Sequence, residues 1–140
     1  MRIDAAKRDA KPNVAKAILD TSALLAYING EKGGDVVADL IGDAAVSTVN
    51  LAEAVGKLVQ RGRSLELALE ALSFIEFDII DFDRELAART GGLIVLTLEL
   101  GLSLGDRACL ALAEREGVPA VTADSAWKRL KLQIDIRLIR

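Results

Sequence analysis

Histidine is absent from all 140 residues. Without imidazole there is no Ser-His or Cys-His nucleophile and no zinc site built on histidine. Hydrolytic chemistry near neutral pH must then fall to carboxylates or to a bound metal ion. A single cysteine, Cys109, excludes an internal disulfide and fits a reducing compartment, so a cytoplasmic location is expected. Cys109 lies on the apolar side of a helical pattern and reads as a small core residue. No apolar run reaches the roughly 18 residues of a membrane span. The polar, mixed-charge start from Met1 to Lys16 does not resemble a secretory signal. A strong excess of charge is also missing: 18 bases stand against 21 acids, a net of −3. That balance does not advertise nucleic-acid binding. It does not forbid it, because a local basic rim acts over about a Debye length of 10 Å whatever the total.

What is present suits a single α/β domain. Hydrophobic residues make up 51% of the chain, and mean hydropathy is +0.30. Ala, Leu and Val spread through periodic segments supply most of this, enough for one self-sufficient core. Residues 1–16 read as a polar extension with five bases and two acids. Contact with a polyanion is one use for it, and a solvated tail is the plainer one. From Ala17 short apolar strands alternate with helices. Strands are expected at Ala17–Leu19, Ala44–Ser47, Phe77–Ile80, Ala120–Thr122 and Ile134–Ile139. Helices are expected at Ser22–Ile28, Asp35–Ile41, Val49–Gln60, Leu65–Phe74, Asp83–Arg89, Asp106–Arg115 and Asp124–Leu130, with Gly91-Gly92 interrupting a continuation through Leu100. This alternation indicates a three-layer sandwich, a central parallel sheet of about five strands flanked by helices. No internal repeat or low-complexity segment is visible.

The stretch from Ile18 to Leu25, Ile-Leu-Asp-Thr-Ser-Ala-Leu-Leu, concentrates the chemistry. An apolar strand ends abruptly at Asp20, and a helix pattern follows. In open α/β sheets the carboxyl edge of the strands is where ligands bind. The plain alternative is that Asp20, Thr21 or Ser22 only caps the helix. Asp124 repeats the arrangement after a later strand, and Asp106 follows a glycine at a helix start. Glu53 differs by lying within a helix. It falls on the row of Val49, Gly56 and Gln60, outside the apolar cluster of Leu51, Val55, Leu58 and Val59. Gly56 leaves open space one turn away. Parallel strands would bring Asp20 and Asp124 to one edge. Two carboxylates about 5 Å apart repel by roughly 3 kcal/mol at an effective dielectric near 20. Such a cluster calls for protons or cations, and oxygen-only ligands suit Mg²⁺ or Mn²⁺. An ion there, or a pair, activates water and steadies a phosphoryl group without histidine.

Four stretches together resemble the motifs of a PIN domain. They are Ile18–Leu25, Ser47–Ala54 (Ser-Thr-Val-Asn-Leu-Ala-Glu-Ala), Leu102–Ala113 (Leu-Ser-Leu-Gly-Asp-Arg-Ala-Cys-Leu-Ala-Leu-Ala) and Val121–Trp127 (Val-Thr-Ala-Asp-Ser-Ala-Trp). The likeness is greatest to the VapC-type toxin ribonucleases of bacterial toxin–antitoxin pairs, and it covers residues 17–140. It implies that Asp20, Glu53, Asp106 and Asp124 form an acidic quartet holding Mg²⁺ or Mn²⁺ for cleavage of single-stranded RNA. Thr21, Ser22, Asn50 and Thr122 match polar positions beside the quartet. Ser125 stands where many relatives carry Arg or Lys. The resemblance also implies a homodimer and a small antitoxin partner whose tail covers an apolar groove. The helices from Ser22 to Ile41 and Val49 to Val59 offer apolar residues for that groove, although core packing must use most of them.

RNA contact needs bases near the acids, and Arg107 and Lys128 are the first candidates. Lys57, Arg61, Arg63 and Arg129 lie within reach in sequence. Trp127 could stack on a base, though a tryptophan is more often largely buried. Three other functions compete with a toxin ribonuclease. A PIN nuclease of RNA processing would use the same residues. A non-catalytic interaction module would not need four acids. A receiver-type phosphoacceptor domain would need adjacent acids after the first strand and a late buried lysine, and neither is evident.

Overall fold

The computed structural model describes residues 15–140. The expected extension therefore lies outside the described residues except for Ala15 and Lys16. The Lys16 backbone N–H already donates to the Asp43 carbonyl at 2.7 Å, and Ala15 packs on the core.

Five short strands form one sheet: β1 (Ala17–Leu19), β2 (Ala44–Ser47), β3 (Asp78–Ile80), β4 (Ala120–Thr122) and β5 (Ile136–Leu138). All pairs are parallel, in the order β3-β2-β1-β4-β5. The central strands are buried on both faces, which is why they read as continuous apolar runs and not as alternating ones. Side-chain alternation still sorts them. Ala17, Leu19, Ala44 and Val46 enter one core, whereas Ile18 and Ala45 enter the other.

The helices fill the two outer layers. α1 (Thr21–Asn29), α2 (Gly34–Leu40), α3 (Thr48–Gln60) and α4 (Leu65–Ser73) cover the first face. α5 (Arg84–Gly92), the short α6 (Ile94–Thr97) and α7 (Leu104–Glu116) belong to the second. Gly33 and Gly34 let α1 and α2 approach closely: a Cβ on Gly34 would strike the Ala26 carbonyl, and one on Gly33 would strike Ile139.

Connectivity sets the site. The chain steps from β1 outward to β2 and β3, then crosses back to start β4 on the other side of β1. The order therefore reverses between β1 and β4, and the carboxyl ends of these two strands are where the rule for open α/β sheets puts the ligand crevice.

Several boundaries differ from the sequence expectation. α1 begins at Thr21, with Asp20 as its cap. α7 opens at Leu104 behind a Ser103 cap, so Asp106 sits in its first turn and does not start it. Asp124 does not begin a full helix: Ser125–Arg129 is a five-residue 3-10 turn. α5 runs through Gly91-Gly92 to Leu93. β5 is shorter than Ile134–Ile139: only Ile136–Leu138 pair with β4, flanked by single bonds from the Ala120 N–H to the Asp135 carbonyl and from the Ile139 N–H to the Thr122 carbonyl.

Candidate active site

The centre of the crevice is Asp20, at the end of β1 and 3% exposed. Its Oδ1 accepts from the Ala23 backbone N–H at 2.8 Å and the Ser22 hydroxyl at 2.7 Å. Its Oδ2 accepts from the Thr122 hydroxyl at 2.5 Å. Thr122 Oγ1 in turn accepts from the Asp124 N–H at 3.0 Å, and Ser22 Oγ accepts from the Ala123 N–H at 2.9 Å. The ends of β1 and β4 are thus sewn together by two hydroxyls. Burial raises the Asp20 carboxyl to about 6, against the opposing effect of the three donors, and the Asp106 charge adds to the rise.

Glu53 reaches the crevice from α3. Its Oε1 accepts from the Thr21 hydroxyl at 2.7 Å and from Asn50 Nδ2 at 3.2 Å. Asn50 is 1% exposed. Its amide also points at Thr21 Oγ1 (3.1 Å) and at the Gly105 carbonyl (3.2 Å), so one side chain ties α1, α3 and α7 together. Asn50 Oδ1 is buried and has no hydrogen-bond partner among the described residues. Gly105 is the residue that the sequence reading passed over. A Cβ there would overlap the Glu53 carboxylate, so only glycine admits Glu53 against the first turn of α7. Gly56, which the sequence singled out, faces open space.

Asp106 comes from α7 and Asp124 from the turn after β4. Asp106 Oδ2 accepts from the Ser103 N–H at 2.9 Å, while Ser103 Oγ accepts from the Asp106 N–H at 3.2 Å, a reciprocal capping box. Asp124 Oδ1 accepts from the Ala126 N–H at 2.9 Å. Cys109, fully buried below, marks how the acids group. Burial lifts its thiol well above the usual range, and the charges of Asp20, Asp106 and Glu53 all push it further.

One pattern recurs. Glu53, Asp106 and Asp124 each commit one oxygen to a structural hydrogen bond and leave the other without any, among the described residues. None of the four acids forms an ion pair there. As arranged, no three of the described carboxylate or thiol side chains stand close enough to share one ion. By chemistry the set still fits a hard divalent cation: oxygen donors only, a spare oxygen on Glu53, Asp106 and Asp124, and no base ion-paired to any of the four among the described residues.

The other sequence candidates divide. Arg107 Nη1 donates to the Leu102 carbonyl at 2.9 Å, and Lys128 Nζ donates to the Ile136 carbonyl at 2.8 Å. Trp127 is 0% exposed and belongs to the second core, so it has no open face on which to stack a base. Most apolar residues of α1 and α3 are likewise core.

With this geometry in view the comparisons are informative. The sequence matches the family model of the PIN domain over residues 17–132, and the chain belongs to that family. Among solved structures it resembles toxin–antitoxin proteins. DNA-bound VapBC from Salmonella typhimurium superposes with a TM-score of 0.71 at 19% identity, covering 91% of this chain and 100% of that one. VapBC2 from Rickettsia felis, bound to a fragment of its promoter, gives 0.67 at 21% identity over 86% and 96%. VapC20 from Mycobacterium tuberculosis, a sarcin–ricin-loop-cleaving toxin, gives 0.68 at 20% identity over 81% and 93%. At these identities the likeness is one of fold. No curated protein matches the sequence.

Proposed function

We propose that this PIN domain is a metal-dependent endoribonuclease acting on single-stranded RNA, and the toxin of a type II toxin–antitoxin pair. The observation that carries the reading is the set of four unpaired carboxylates, Asp20, Glu53, Asp106 and Asp124, gathered at the β1/β4 reversal. Asp20 is buried without a cationic partner, which is costly, so a fold that keeps it has a use for it; Glu53 and Asp106 are half-buried beside it and Asp124 is exposed at the rim. Asp20, Glu53, Asp106 and Asp124 would hold Mg²⁺ or Mn²⁺. Bound there, such an ion supplies Lewis acidity toward a phosphodiester and a readily deprotonated water.

The chain's own residues prepare the site. Thr122 and Ser22 hold the Asp20 carboxylate in one orientation. Thr21 and Asn50 fix one oxygen of Glu53 and leave the other turned free. Lys128 and Arg129, exposed in the turn that Asp124 caps, are the candidate bases for an RNA phosphate, with Lys128 Nζ engaged at the Ile136 carbonyl in the free protein. The toxin reading draws on the VapBC likeness, and it brings with it a small antitoxin, a homodimer and a cytoplasmic setting. Exposed apolar side chains available to a partner lie in two places, on α4 and its flanks (Val59, Leu65, Leu67 and Phe74) and around α6 (Ile94, Val95, Leu96 and Leu98). No helix among the described residues is long and apolar enough to cross a membrane. A PIN nuclease of RNA processing, lacking an antitoxin, is the second reading for the same residues.

The test is a thermal melt of metal-stripped protein with and without Mn²⁺, beside Asp20→Asn and Asp106→Asn, followed by cleavage of a labelled single-stranded RNA. A ligand specific to the folded state stabilises it by about 2.7 kcal/mol at a hundredfold excess over its dissociation constant. Wild type should melt several degrees higher with Mn²⁺, and both variants should lose that gain together with cleavage. A wild type indifferent to Mn²⁺ would leave the acids as caps and the nuclease reading without support.

A further inference from the structure

Arg107 stands directly after Asp106 in the first turn of α7, where a cation is disfavoured by the helix dipole. The residue is nonetheless half-buried, and its Nε is shut away from solvent with no partner among the described residues. The side chain turns back five residues so that Nη1 donates to the Leu102 carbonyl at 2.9 Å. That carbonyl and the Ser103 N–H are the two halves of a single peptide group. The Ser103 N–H donates to Asp106 Oδ2 at 2.9 Å. Two consecutive side chains therefore grip opposite ends of one peptide. Rotation of that peptide would break both bonds at once and swing the Asp106 carboxylate out of its capping box.

We propose that Arg107 is a positioning residue for Asp106, and not the phosphate contact that its place in the sequence suggests. It locks the Leu102–Ser103 peptide, and the locked peptide orients the Asp106 carboxylate with its second oxygen toward the crevice. The functional part of this proposal rests on the nuclease reading, whereas the clasp itself does not. Partners that orient metal ligands typically account for 10–100-fold in metal affinity, so Arg107→Ala should fall in that range.

Three measurements on the full chain test it, each on wild type, Arg107→Ala and Arg107→Lys. The first is amide hydrogen exchange at Ser103 and Asp106. Arg107→Ala should speed both at least about tenfold, and Arg107→Lys, which keeps a donor of similar reach, should restore much of the protection. The second is Mn²⁺ affinity from the melting shift. Arg107→Ala should weaken it about 10–100-fold, with partial recovery in Arg107→Lys. The third is the salt dependence of RNA binding without added metal. Its slope should not change, whereas loss of a single-strand phosphate contact would reduce it by about 0.7. Unchanged exchange at Ser103 and Asp106 overturns the clasp. A lowered salt slope with unchanged Mn²⁺ affinity overturns the positioning role and restores the phosphate contact. A wild type that ignores Mn²⁺ but shows the exchange effect sinks the nuclease reading and the functional half of this proposal, and leaves the clasp standing.

Discussion

Asp20 and Asp83 look alike in sequence and live in opposite surroundings. Each follows a parallel strand, and each caps the next helix through Oδ1, to the Ala23 N–H at 2.8 Å and to the Leu86 N–H at 2.9 Å. Asp83 lies at the outer strand, open to water, and its Oδ2 meets Arg115 Nη1 at 2.9 Å. The Leu86 N–H first, and Arg115 second, hold its carboxyl below the ordinary value. Asp20 lies at the central strand, buried, with hydroxyls in place of a guanidinium, and its carboxyl is raised to about 6. A strand-end aspartate is therefore no signal by itself. Asp20 differs from this plain cap by its burial at the order reversal and by having hydroxyls and a backbone N–H, and no cation, as partners.

The largest effect that would break this contrast concerns activity. Asp20→Asn should keep the cap and abolish both the Mn²⁺ response and RNA cleavage. The loss should exceed about a hundredfold, since even outer partners of metal ligands are worth 10–100-fold. Asp83→Asn should leave both intact. Equal behaviour of the two variants in melts and cleavage assays would erase the distinction.

The next effect is on stability against pH. A carboxyl raised from 3.8 to about 6 binds its proton more tightly in the folded state. Its contribution is complete below pH 3.8 and is lost as pH rises through about 6, in total about 3 kcal/mol. Metal-free wild type should thus lose stability across that window relative to Asp20→Asn. Asp83 has the opposite sign: its contribution is present above the ordinary aspartate value and fades as pH falls. Denaturant melts of wild type and the two Asn variants from about pH 2.5 to 7 give the two slopes, that of Asp20 between 3.8 and about 6 and that of Asp83 below 3.8. Slopes of one sign would refute the assignment.

Two smaller changes sharpen the picture. Asn50→Asp puts a carboxylate where three acceptors, Thr21 Oγ1, Glu53 Oε1 and the Gly105 carbonyl, need a donor. Leaving a buried polar partner unsatisfied costs about 1–3 kcal/mol, and a melt of the variant should show it. Gly105→Ala gains about 1 kcal/mol of helix propensity against an overpacking cost of about 1–3 kcal/mol. It should melt slightly lower while displacing Glu53 and weakening the Mn²⁺ shift. A stabilised Gly105→Ala with normal Mn²⁺ binding would show that Glu53 has another place to go.

The sequence made much of this visible. Strand positions followed from buried apolar triplets, and Asp20, Glu53, Asp106 and Asp124 stood out by their places at strand ends, at a helix start and on the open side of α3. Caps were also legible as such, yet not which ones matter, since Asp83 carries the same local signal. Helix starts erred where two candidate caps compete, as Ser103 and Asp106 do. The turn after Asp124 was overextended because Trp127 is drawn into the second core within one short loop. The role of Gly105 could not be read at all. It depends on how α3 meets α7, a contact between residues 52 positions apart, and Gly56 is the more conspicuous glycine along the chain.

Asp20, Asp106 and Asp124 each serve as a capping acceptor as well as a candidate ligand, and this has an evolutionary corollary. Replacing Asp20, Asp106 or Asp124 with alanine removes a helix start along with the chemistry, so such a copy is also a poorer folder. Asparagine keeps the cap acceptor and deletes only the charge. Under the proposed nuclease reading, a lineage escaping the cost of cleavage would thus find its smoothest exit through Asp→Asn. Silenced descendants should carry asparagine at these positions more often than alanine.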